Sequence, residues 1–388
     1  MKILFLTDNF LPHFGGSRVY YYNLCKNLPQ NSVYVFTNKI KGSDAFDVQQ
    51  SFLIYRLPLD CFKCISKLLN EIWIIIVGLL AGGYLVCKHN INILHCGEIL
   101  PMGIVGFILS KIFKIPYIIY THSEDVGVLR SLKGERKLGV FILRNASKVI
   151  SACKFGEDQL IKLGIPEDKI FRLTPGVEDF FLRKINYSDI EKFKEDKNLK
   201  GRKILLTVGR LIKRKNHISV IKSLPCILKE VPQVLYLVIG RGPEENYLKE
   251  LTEKMGLASC VRFEGEVSKE ELFKYYACCD VFVMVSKECK EGDVEGLGIV
   301  FLEANALGKP VVGPNTGGPA EYIAHNFNGM KVNPDSQEEI CKALIRLLKE
   351  ERLCKKLGDN GRRIVSLKFR WKDKADLVYK LSLSLVNA

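Results

Sequence analysis

The stretch that decides the fold runs from residue 292 to residue 313 and reads GDVEGLGIVFLEANALGKPVVG. It begins as an acidic loop punctuated by glycines, continues as an apolar helix that carries a second glutamate, and ends in a β-branched strand. A helix between a loop and a buried strand is the repeating unit of an open parallel sheet. Glu295 and Glu303 therefore stand at the mouth and on the body of one such helix.

The same alternation of short β-rich runs with helical stretches occupies the rest of the chain. The predicted strands read ILFLT, VYVFTN, NILHC, YIIYTH, KVISA and FRLTP in the first half, then KILLTVG, VLYLVIG, VRFEGE, VFVMVS, PVVGPN and MKVNP in the second. This alternation predicts parallel sheets with helices on both faces. Because 388 residues exceed one ordinary core, we expect an α/β protein with two Rossmann-like doubly wound domains facing a cleft.

Charge and strand content set the predicted domain limits. The highly charged segment 184–202, which has almost no strand character, is predicted to link an N-terminal domain, 1–183, to a C-terminal domain, 203–370. Residues 371–388 are predicted to form an amphipathic helix that returns to the first domain.

Cysteine usage and hydropathy bear on the compartment. Thirteen cysteines at irregular positions argue against a disulfide framework and for thiols in a reducing cytosol. The start MKILFLTDNF predicts a buried strand rather than a signal peptide. The apolar run 72–87 is shorter than the ~20 residues of a spanning helix, so we expect a buried helix there.

The net charge of +15 is spread over both halves, with one local excess. Residues 130–154, called the basic segment below, hold seven Lys or Arg and one acid, Glu135. This segment predicts contact with phosphates or, on a lipid acceptor, attachment to the cytosolic face of an anionic membrane, with a solvated helix face as the alternative. No nucleic-acid partner is expected, because the cations are not interleaved with aromatic residues and no nucleic-acid motif is present.

Two predicted strand ends carry groups suited to phosphates. GRLIKRKN places Arg210 and Lys215 after the first strand of the second half, where a planar fork of donors and a compact ammonium could bind adjacent phosphates. Gly15 and Gly16 precede the first helix, whose amide end favours an anion. Each feature alone also fits a plain turn or solvated cations. Facing each other across a cleft, they suit a diphosphate.

The opening stretch adds both anion donors and hydroxyl acceptors. The first amides of its helix, at Gly298, Ile299 and Val300, attract a diphosphate. The carboxylates of Glu295 and Glu303 best accept hydrogen bonds from hydroxyls. A ligand with phosphates between two polyols meets both demands, and that ligand is a nucleotide-sugar.

In this order and spacing, these stretches resemble glycosyltransferase family 4, retaining enzymes with the two-Rossmann-domain GT-B fold. The resemblance covers nearly the whole chain and rests on GGSRVYYYNL, YTHSEDV, LTPGVEDFF, GRLIKRKN, IGRGPEENYL, VRFEGEVSKEEL, EGLGIVFLE and GKPVVGPNTGGPAEYI. Within the family, GDVEGLGIVFLEA is most similar to mannosyltransferases that use GDP-mannose, including those of the phosphatidylinositol mannosyltransferase type. Pro175 and Glu178, where the family often has Asn and Asp, depart from its pattern.

The resemblance implies a role for each matching residue. It implies that Arg210 and Lys215 bind the diphosphate, that Glu295 holds the transferred sugar, and that Glu303 holds the ribose. The implied catalytic residues are His122, Arg210, Lys215 and Glu295. The implied donor-binding residues are Gly16, Arg210, Lys215, Arg241, Val267, Glu295, Gly298, Ile299, Val300 and Glu303. Without the resemblance, a lone histidine at a strand end such as His122 is more often structural.

The expected reaction needs no cofactor and no metal, because cations and helix amides already stabilise the charge that grows on the leaving phosphate. Asp293 and Glu295 only superficially resemble an acidic metal triplet. The expected partners are a nucleotide-sugar donor and an acceptor that is a polyprenyl-linked, phospholipid-linked or other glycan. The expected location is cytoplasmic, with peripheral attachment to an anionic membrane as one option. A UDP-sugar donor, or a catalytically silent nucleotide-sugar-binding protein, remains as an alternative.

Overall fold

The computed structural model describes residues 1–12, 15–122, 126, 127, 129, 133–289 and 294–388. The chain forms two compact units: unit 1 comprises Met1–Pro175 with Trp371–Ala388, and unit 2 comprises Gly176–Arg370. The prediction that the last helix returns to the first domain is confirmed, since that helix belongs to unit 1.

Unit 1 is built on a seven-stranded sheet in the order β3-β2-β1-β4-β5-β6-β7, in which every neighbouring pair is parallel. Its strands are β1 (Ile3–Leu6), β2 (Val33–Asn38), β3 (Leu53–Leu57), β4 (Ile93–Cys96), β5 (Tyr117–Thr121), β6 (Lys148–Ser151) and β7 (Ile170–Arg172). Its helices are α1 (Gly16–Asn27), α2 (Ser43–Asp47), α3 (Lys67–His89), α4 (Met102–Phe113), α5 (Lys133–Asn145), α6 (Lys154–Lys162) and α16 (Trp371–Val386).

Alternate residues of these strands pack into two cores, one on each face of the sheet. Leu4 and Leu6 of β1 join the core made with α3, α4, α5 and α6. Ile3 and Phe5 join the core made with α1 and α16, which includes Trp371. Side chains buried on both faces are what a parallel sheet requires. The helices α3, α4 and α5 therefore lie side by side on one face, in the order α3, α4, α5.

Unit 2 is built on a six-stranded parallel sheet in the order β10-β9-β8-β11-β12-β13. Its strands are β8 (Lys203–Val208), β9 (Val234–Ile239), β10 (Val261–Gly265), β11 (Val281–Val283), β12 (Val311–Pro314) and β13 (Gly329–Val332). Its helices are α7 (Asp179–Leu182), α8 (Tyr187–Asp196), α9 (His217–Glu230), α10 (Glu245–Lys254), α11 (Lys269–Cys278), α12 (Ile299–Ala306), α13 (Pro319–Tyr322), α14 (Gln337–Lys349) and α15 (Glu351–Lys368). Both sheets confirm the predicted doubly wound α/β fold.

The boundary between the units differs from the predicted linker at 184–202. The division falls between Pro175 and Gly176, and most of the predicted linker forms α8 inside unit 2. Ile190 and Phe193 of α8 are buried, and the Phe193 ring packs against Tyr275 at 4.9 Å between centroids. The abundant charges of this segment lie on the outer face of an amphipathic helix. Because composition counts charges without regard to the helix face on which they lie, it did not indicate the buried apolar face.

Two further predictions are wrong in part. The expectation of thiols throughout fails at Cys226 on α9 and Cys341 on α14, whose sulfur atoms are bonded. The expected buried helix at 72–87 lies within α3, which is 23 residues long and apolar enough to cross a membrane by length and composition. Only 39% of its most apolar 18-residue window is buried, because one side of α3 packs on the unit while the other has no covering element among the described residues.

Candidate functional site

The strand order of unit 2 reverses between β8 and β11, the place where doubly wound sheets bind ligands. The chain leaves β8 into the loop that carries Arg210 and the short 3-10 turn Lys213–Lys215. It leaves β11 into the loop that carries Glu295. The topology therefore places the predicted cations and the predicted acid at the two strands that flank this point.

Lys215 and Glu295, which are 80 residues apart in sequence, form an ion pair. The Lys215 Nζ atom donates to Oε2 of Glu295 at 2.7 Å, and each side chain is only 11% exposed. Arg214 supports the same carboxylate, with its Nε atom 3.9 Å from Oε2. Arg214 also donates to the carbonyl of Val294 at 2.9 Å, which anchors the loop that carries Glu295. The sequence did not predict a role for Arg214, because nothing in the run RLIKRKN indicates which of its cations is buried.

The electrostatics of the pair keep Glu295 ionised. Burial alone would raise the pKa of Glu295, but the charges of Lys215 and Arg214 and the hydrogen bond from Lys215 outweigh it, so the pKa lies below its usual value. Arg210 lowers the pKa further. An ionised carboxylate accepts hydrogen bonds from hydroxyls and donates none, which suits a polyol ligand.

Backbone contacts join the loops that follow β8, β9 and β10. Leu211 donates its amide to the carbonyl of Arg241 at 2.9 Å, and the Gly240 amide donates to Gly265 at 2.7 Å. Gly240, with φ +128, lies so close to its neighbour that an added Cβ would stand 2.1 Å from the Gly209 carbonyl oxygen. A side chain at position 240 would push these loops apart. Arg210 and Arg241 are exposed at the ends of neighbouring strands on this packed backbone.

The third loop leads into α11 and contains Val267, which is partly exposed. Ser268 caps α11, accepting from the Glu271 amide at 3.2 Å, while the Glu271 side chain accepts from the Ser268 amide at 3.2 Å. This reciprocal pair of hydrogen bonds is a capping box. The cap fixes where the chain turns, so Val267 is held at the end of a strand that adjoins the Arg241 strand.

Helix α12 begins immediately after Gly298, which adopts a left-handed conformation with φ +79. A Cβ at this position would stand 2.7 Å from Cδ2 of Phe301, so both the conformation and the space require glycine. Ile299 and Val300 in the first turn are partly exposed. The first amides of a helix lack intrahelical acceptors, so this end of α12 can donate hydrogen bonds to an anion.

Glu303 lies on the body of α12 and is 9% exposed. The hydroxyl of Tyr276, itself fully buried, donates to Oε2 of Glu303 at 2.8 Å. Burial raises the pKa of Glu303 to about 7; the Tyr276 hydrogen bond opposes the rise, Glu178 adds to it, and Lys269 opposes it. Sequence reasoning missed Tyr276, because the run KYYACC shows no sign of a contact with a residue 27 positions away.

The two predicted residues of unit 1 follow other strands. Gly16 is exposed and is the first residue of α1, which follows Gly15. His122 follows β5, and its Nε2 atom is 2.9 Å from the Tyr21 hydroxyl. Burial lowers the pKa of His122 to about 4, so its imidazole is neutral near pH 7. Its ring also packs against Tyr20 at 5.4 Å between centroids.

The structure brings Lys215 and Glu295 into contact. The remaining predicted donor residues of unit 2 lie in loops after neighbouring strands, at the start of α12 and, for Glu303, on the body of α12. Gly16 and His122 belong to unit 1. Within the described ranges, no group of three or more His, Cys, Asp or Glu side chains is placed to hold a metal ion. Asp293 lies outside the described residues, as do Arg130 and the side chains of Lys133 and Glu135 in the basic segment.

Two family models match the chain. Glycosyltransferase Family 4 matches residues 14–179, and Glycosyl transferases group 1 matches residues 189–364. The chain is 28% identical over 384 residues to the GDP-mannose-dependent alpha-(1-6)-phosphatidylinositol monomannoside mannosyltransferase of Mycobacterium tuberculosis, with 95% of each chain covered.

Solved structures match the whole fold. HepE from Anabaena in complex with UDP matches with a TM-score of 0.83 at 21% identity, over 99% of this chain and 100% of that chain. Sucrose-phosphate synthase from Thermosynechococcus elongatus matches with a TM-score of 0.82 at 23% identity, over 99% of each chain. These solved structures show that the chain has the GT-B fold. The two family models, which together span most of the sequence, and the mannosyltransferase relative show that the chain is a hexosyltransferase of glycosyltransferase family 4.

Proposed function

We propose that the protein is a retaining, metal-independent mannosyltransferase that moves mannose from GDP-mannose to a hydroxyl of a lipid-linked glycan acceptor. The observation that carries the proposal is the Lys215–Glu295 pair, which sets a cation for a phosphate beside a carboxylate for sugar hydroxyls. The choice of GDP-mannose is supported by the mycobacterial relative, whose name specifies that donor.

In this proposal the cations act on the leaving group. Breaking the bond between the anomeric carbon and the phosphate oxygen leaves the electron pair, and hence negative charge, on the β-phosphate. Arg210, Lys215 and the first amides of α12 are suited to stabilise that charge more in the transition state than in the ground state. Ion pairing with Glu295 holds the Lys215 ammonium in place before the donor binds, so little reorganisation is needed.

The carboxylates and the histidine position the donor. Glu295, kept ionised by its neighbouring cations, accepts hydrogen bonds from hydroxyls of the transferred sugar. Glu303 accepts from the ribose hydroxyls, and Val267 and Arg241 contact the base. For unit 1, the family resemblance supports a role for His122, neutral at physiological pH, toward a sugar hydroxyl, and for Gly16 toward a diphosphate. The acceptor loses its hydroxyl proton to the departing phosphate oxygen on the same face, so no protein carboxylate serves as nucleophile.

The proposed place of work is the cytoplasmic face of a membrane, because the acceptor is expected to carry a phospholipid or polyprenyl anchor. The name of the mycobacterial relative specifies a phosphatidylinositol monomannoside acceptor, which supports a lipid for this chain too. The basic segment contributes less exposed charge than its composition suggests. Arg144 donates to the Gly164 carbonyl at 3.1 Å, and Lys154 pairs with Glu157 at 2.9 Å and with Asp158 at 3.0 Å.

Donor binding and turnover test the proposal separately. Calorimetric titration with GDP-mannose, GDP, UDP-glucose and UDP should show tighter binding of the guanine nucleotides, and mannose should pass from GDP-mannose to a lipid extract. Tighter binding of the uracil nucleotides would indicate that the donor is a UDP-sugar. Nucleotide binding without transfer to any lipid fraction, and without hydrolysis of the donor, would indicate a silent binding protein.

A further inference from the structure

We propose that the outer side of α3 is a membrane-docking surface that lies in the interface of an anionic bilayer. This surface, called the apolar face below, consists of Leu69, Ile72, Ile76, Leu80 and Tyr84. The inference deepens the proposed function, on which it rests for the lipid acceptor, but docking itself requires no turnover. It also extends the predicted membrane contact from the basic segment, part of which forms α5, to α3.

The five side chains form one stripe. They are 44–72% exposed and recur at intervals of three and four residues, which places them along one side of a helix. With a rise of 1.5 Å per residue, the stripe is about 22 Å long. Soluble monomers rarely leave a continuous apolar surface of this kind uncovered, and such patches mark contacts with membranes or proteins.

The opposite side of α3 explains why the helix stays on the protein. Gly78 and Gly82 face α4 so closely that an added Cβ would stand 2.9 Å from Val105 and 2.8 Å from Leu109. From residue 72 to residue 87 the sequence contains no charged side chain, as is typical of core or membrane helices. Crossing a bilayer would break the packing on α4, so α3 lies on the membrane surface and does not span it.

Neighbouring helices extend the apolar face. Ile112 near the end of α4 is 63% exposed, and Phe141 of α5, which contacts Phe107 of α4, is 50% exposed. Because α3, α4 and α5 lie side by side on one face of the sheet, these side chains are on the same side of unit 1 as the stripe. Exposed apolar side chains on this side of unit 1 therefore come from three neighbouring helices.

The cations on these helices favour an anionic membrane over a second copy of the chain as the partner of this surface. The exposed lysines and arginines described on these three helices, together with the residue that follows α4, are Lys67, Lys88, Lys111, Lys114, Arg136, Lys137 and Arg144. Lys67 pairs with Glu71 of the same helix at 3.5 Å, and Arg144 donates to the Gly164 carbonyl. Lys88 also lies 5.3 Å from the Tyr84 ring centroid, a pairing of aromatic ring and cation suited to a headgroup layer. A two-fold contact with a second copy would set these cations against one another, whereas anionic headgroups complement them.

Vesicle sedimentation with matched variants tests the proposal. The apolar-face variant carries Ile72→Gln, Ile76→Gln and Leu80→Gln, which are 44–72% exposed. The control carries Val48→Gln, Leu367→Gln and Leu377→Gln, apolar positions elsewhere that are 47–84% exposed. With vesicles of phosphatidylcholine and phosphatidylglycerol, we expect the apolar-face variant to bind at least about tenfold more weakly than wild type and the control to bind within about twofold. Equal binding of all three proteins would overturn the proposal.

A second measurement needs no change to the apolar face. The chain has two tryptophans, and Trp371→Phe removes the buried one and leaves Trp73 on α3. The fluorescence of Trp73 in this variant should be quenched by brominated lipid in anionic vesicles. The proposal would be overturned by absence of quenching or by dimerisation without vesicle binding. It would also be overturned if alkali failed to extract the protein from the vesicles, which is the behaviour of a protein with a spanning helix. GDP binding of every variant is measured alongside, so loss of docking and failure of the donor site are distinguishable.

Discussion

The contact between Lys215 and Glu295 makes one substitution especially informative. Lys215→Met keeps the aliphatic stem and removes the ammonium that donates to Glu295 at 2.7 Å. We expect turnover with GDP-mannose to fall by about 10²- to 10³-fold, because one donor to the developing phosphate charge is lost. Donor binding should weaken less than turnover falls, because the charge on the diphosphate grows in the transition state.

The same substitution should lower stability by an amount that the geometry bounds. Removing one partner of a buried ion pair typically costs about 3–5 kcal/mol, because an uncompensated charge remains. Arg214 still lies 3.9 Å from the carboxylate, and both side chains of the pair are 11% exposed. We therefore expect a loss of unfolding free energy below that range, about 2 kcal/mol. The pKa of Glu295 should rise at the same time, since Lys215 provides the largest of the contributions that lower it.

The assay combines steady-state kinetics with urea unfolding, and Lys213→Met is the matched control because Lys213 is exposed in the same turn. The control should retain wild-type turnover and stability. Unchanged turnover in Lys215→Met would refute the placement of the leaving group at this pair. A stability loss without a turnover loss would reduce Lys215 to a structural role.

Three further results are expected. Glu303, with its pKa raised to about 7 from 4.5, keeps a proton in the folded state that the unfolded chain has released, so folding stability should decline between these values as pH rises. Glu303→Gln should remove that decline, roughly 3 kcal/mol in total, as measured by urea unfolding on both sides of this window; an unchanged pH dependence would contradict the assignment. Transfer should persist in excess chelator, whereas a loss restored by manganese or magnesium would promote Asp293 to a candidate ligand. Nuclear magnetic resonance of the product should show the α configuration of the donor, and an inverted linkage would rule out the retaining mechanism.

Strand prediction succeeded where strands are buried on both faces. Ile3–Leu6 and Lys203–Val208 are continuous apolar runs bounded by turn residues, which is what the interior of a parallel sheet demands. The edge strand Leu53–Leu57 was missed, because none of its residues is fully buried and Arg56 interrupts its apolar residues. Its mixed sequence LIYRL therefore does not stand out from its surroundings.

The site residues divide in the same physical way. Gly298 could be predicted, because a left-handed helix start tolerates little else and the glycine stands directly before an apolar run. The partners of the carboxylates could not be predicted. Arg214 and Tyr276 meet Glu295 and Glu303 only after strands far apart in sequence have been ordered in the sheet, and nothing local marks either residue.

Direct detection of the transferred sugar tests the central claim. The purified protein is incubated with GDP-mannose labelled in the sugar and with phosphatidylinositol monomannoside in anionic vesicles, and the lipid fraction is analysed by mass spectrometry. The account predicts a lipid product that gains one labelled hexose, at a rate that falls about 10²- to 10³-fold in Arg210→Ala. Undiminished label transfer in that variant, or a labelled product formed only when a UDP-sugar replaces GDP-mannose, would contradict the account.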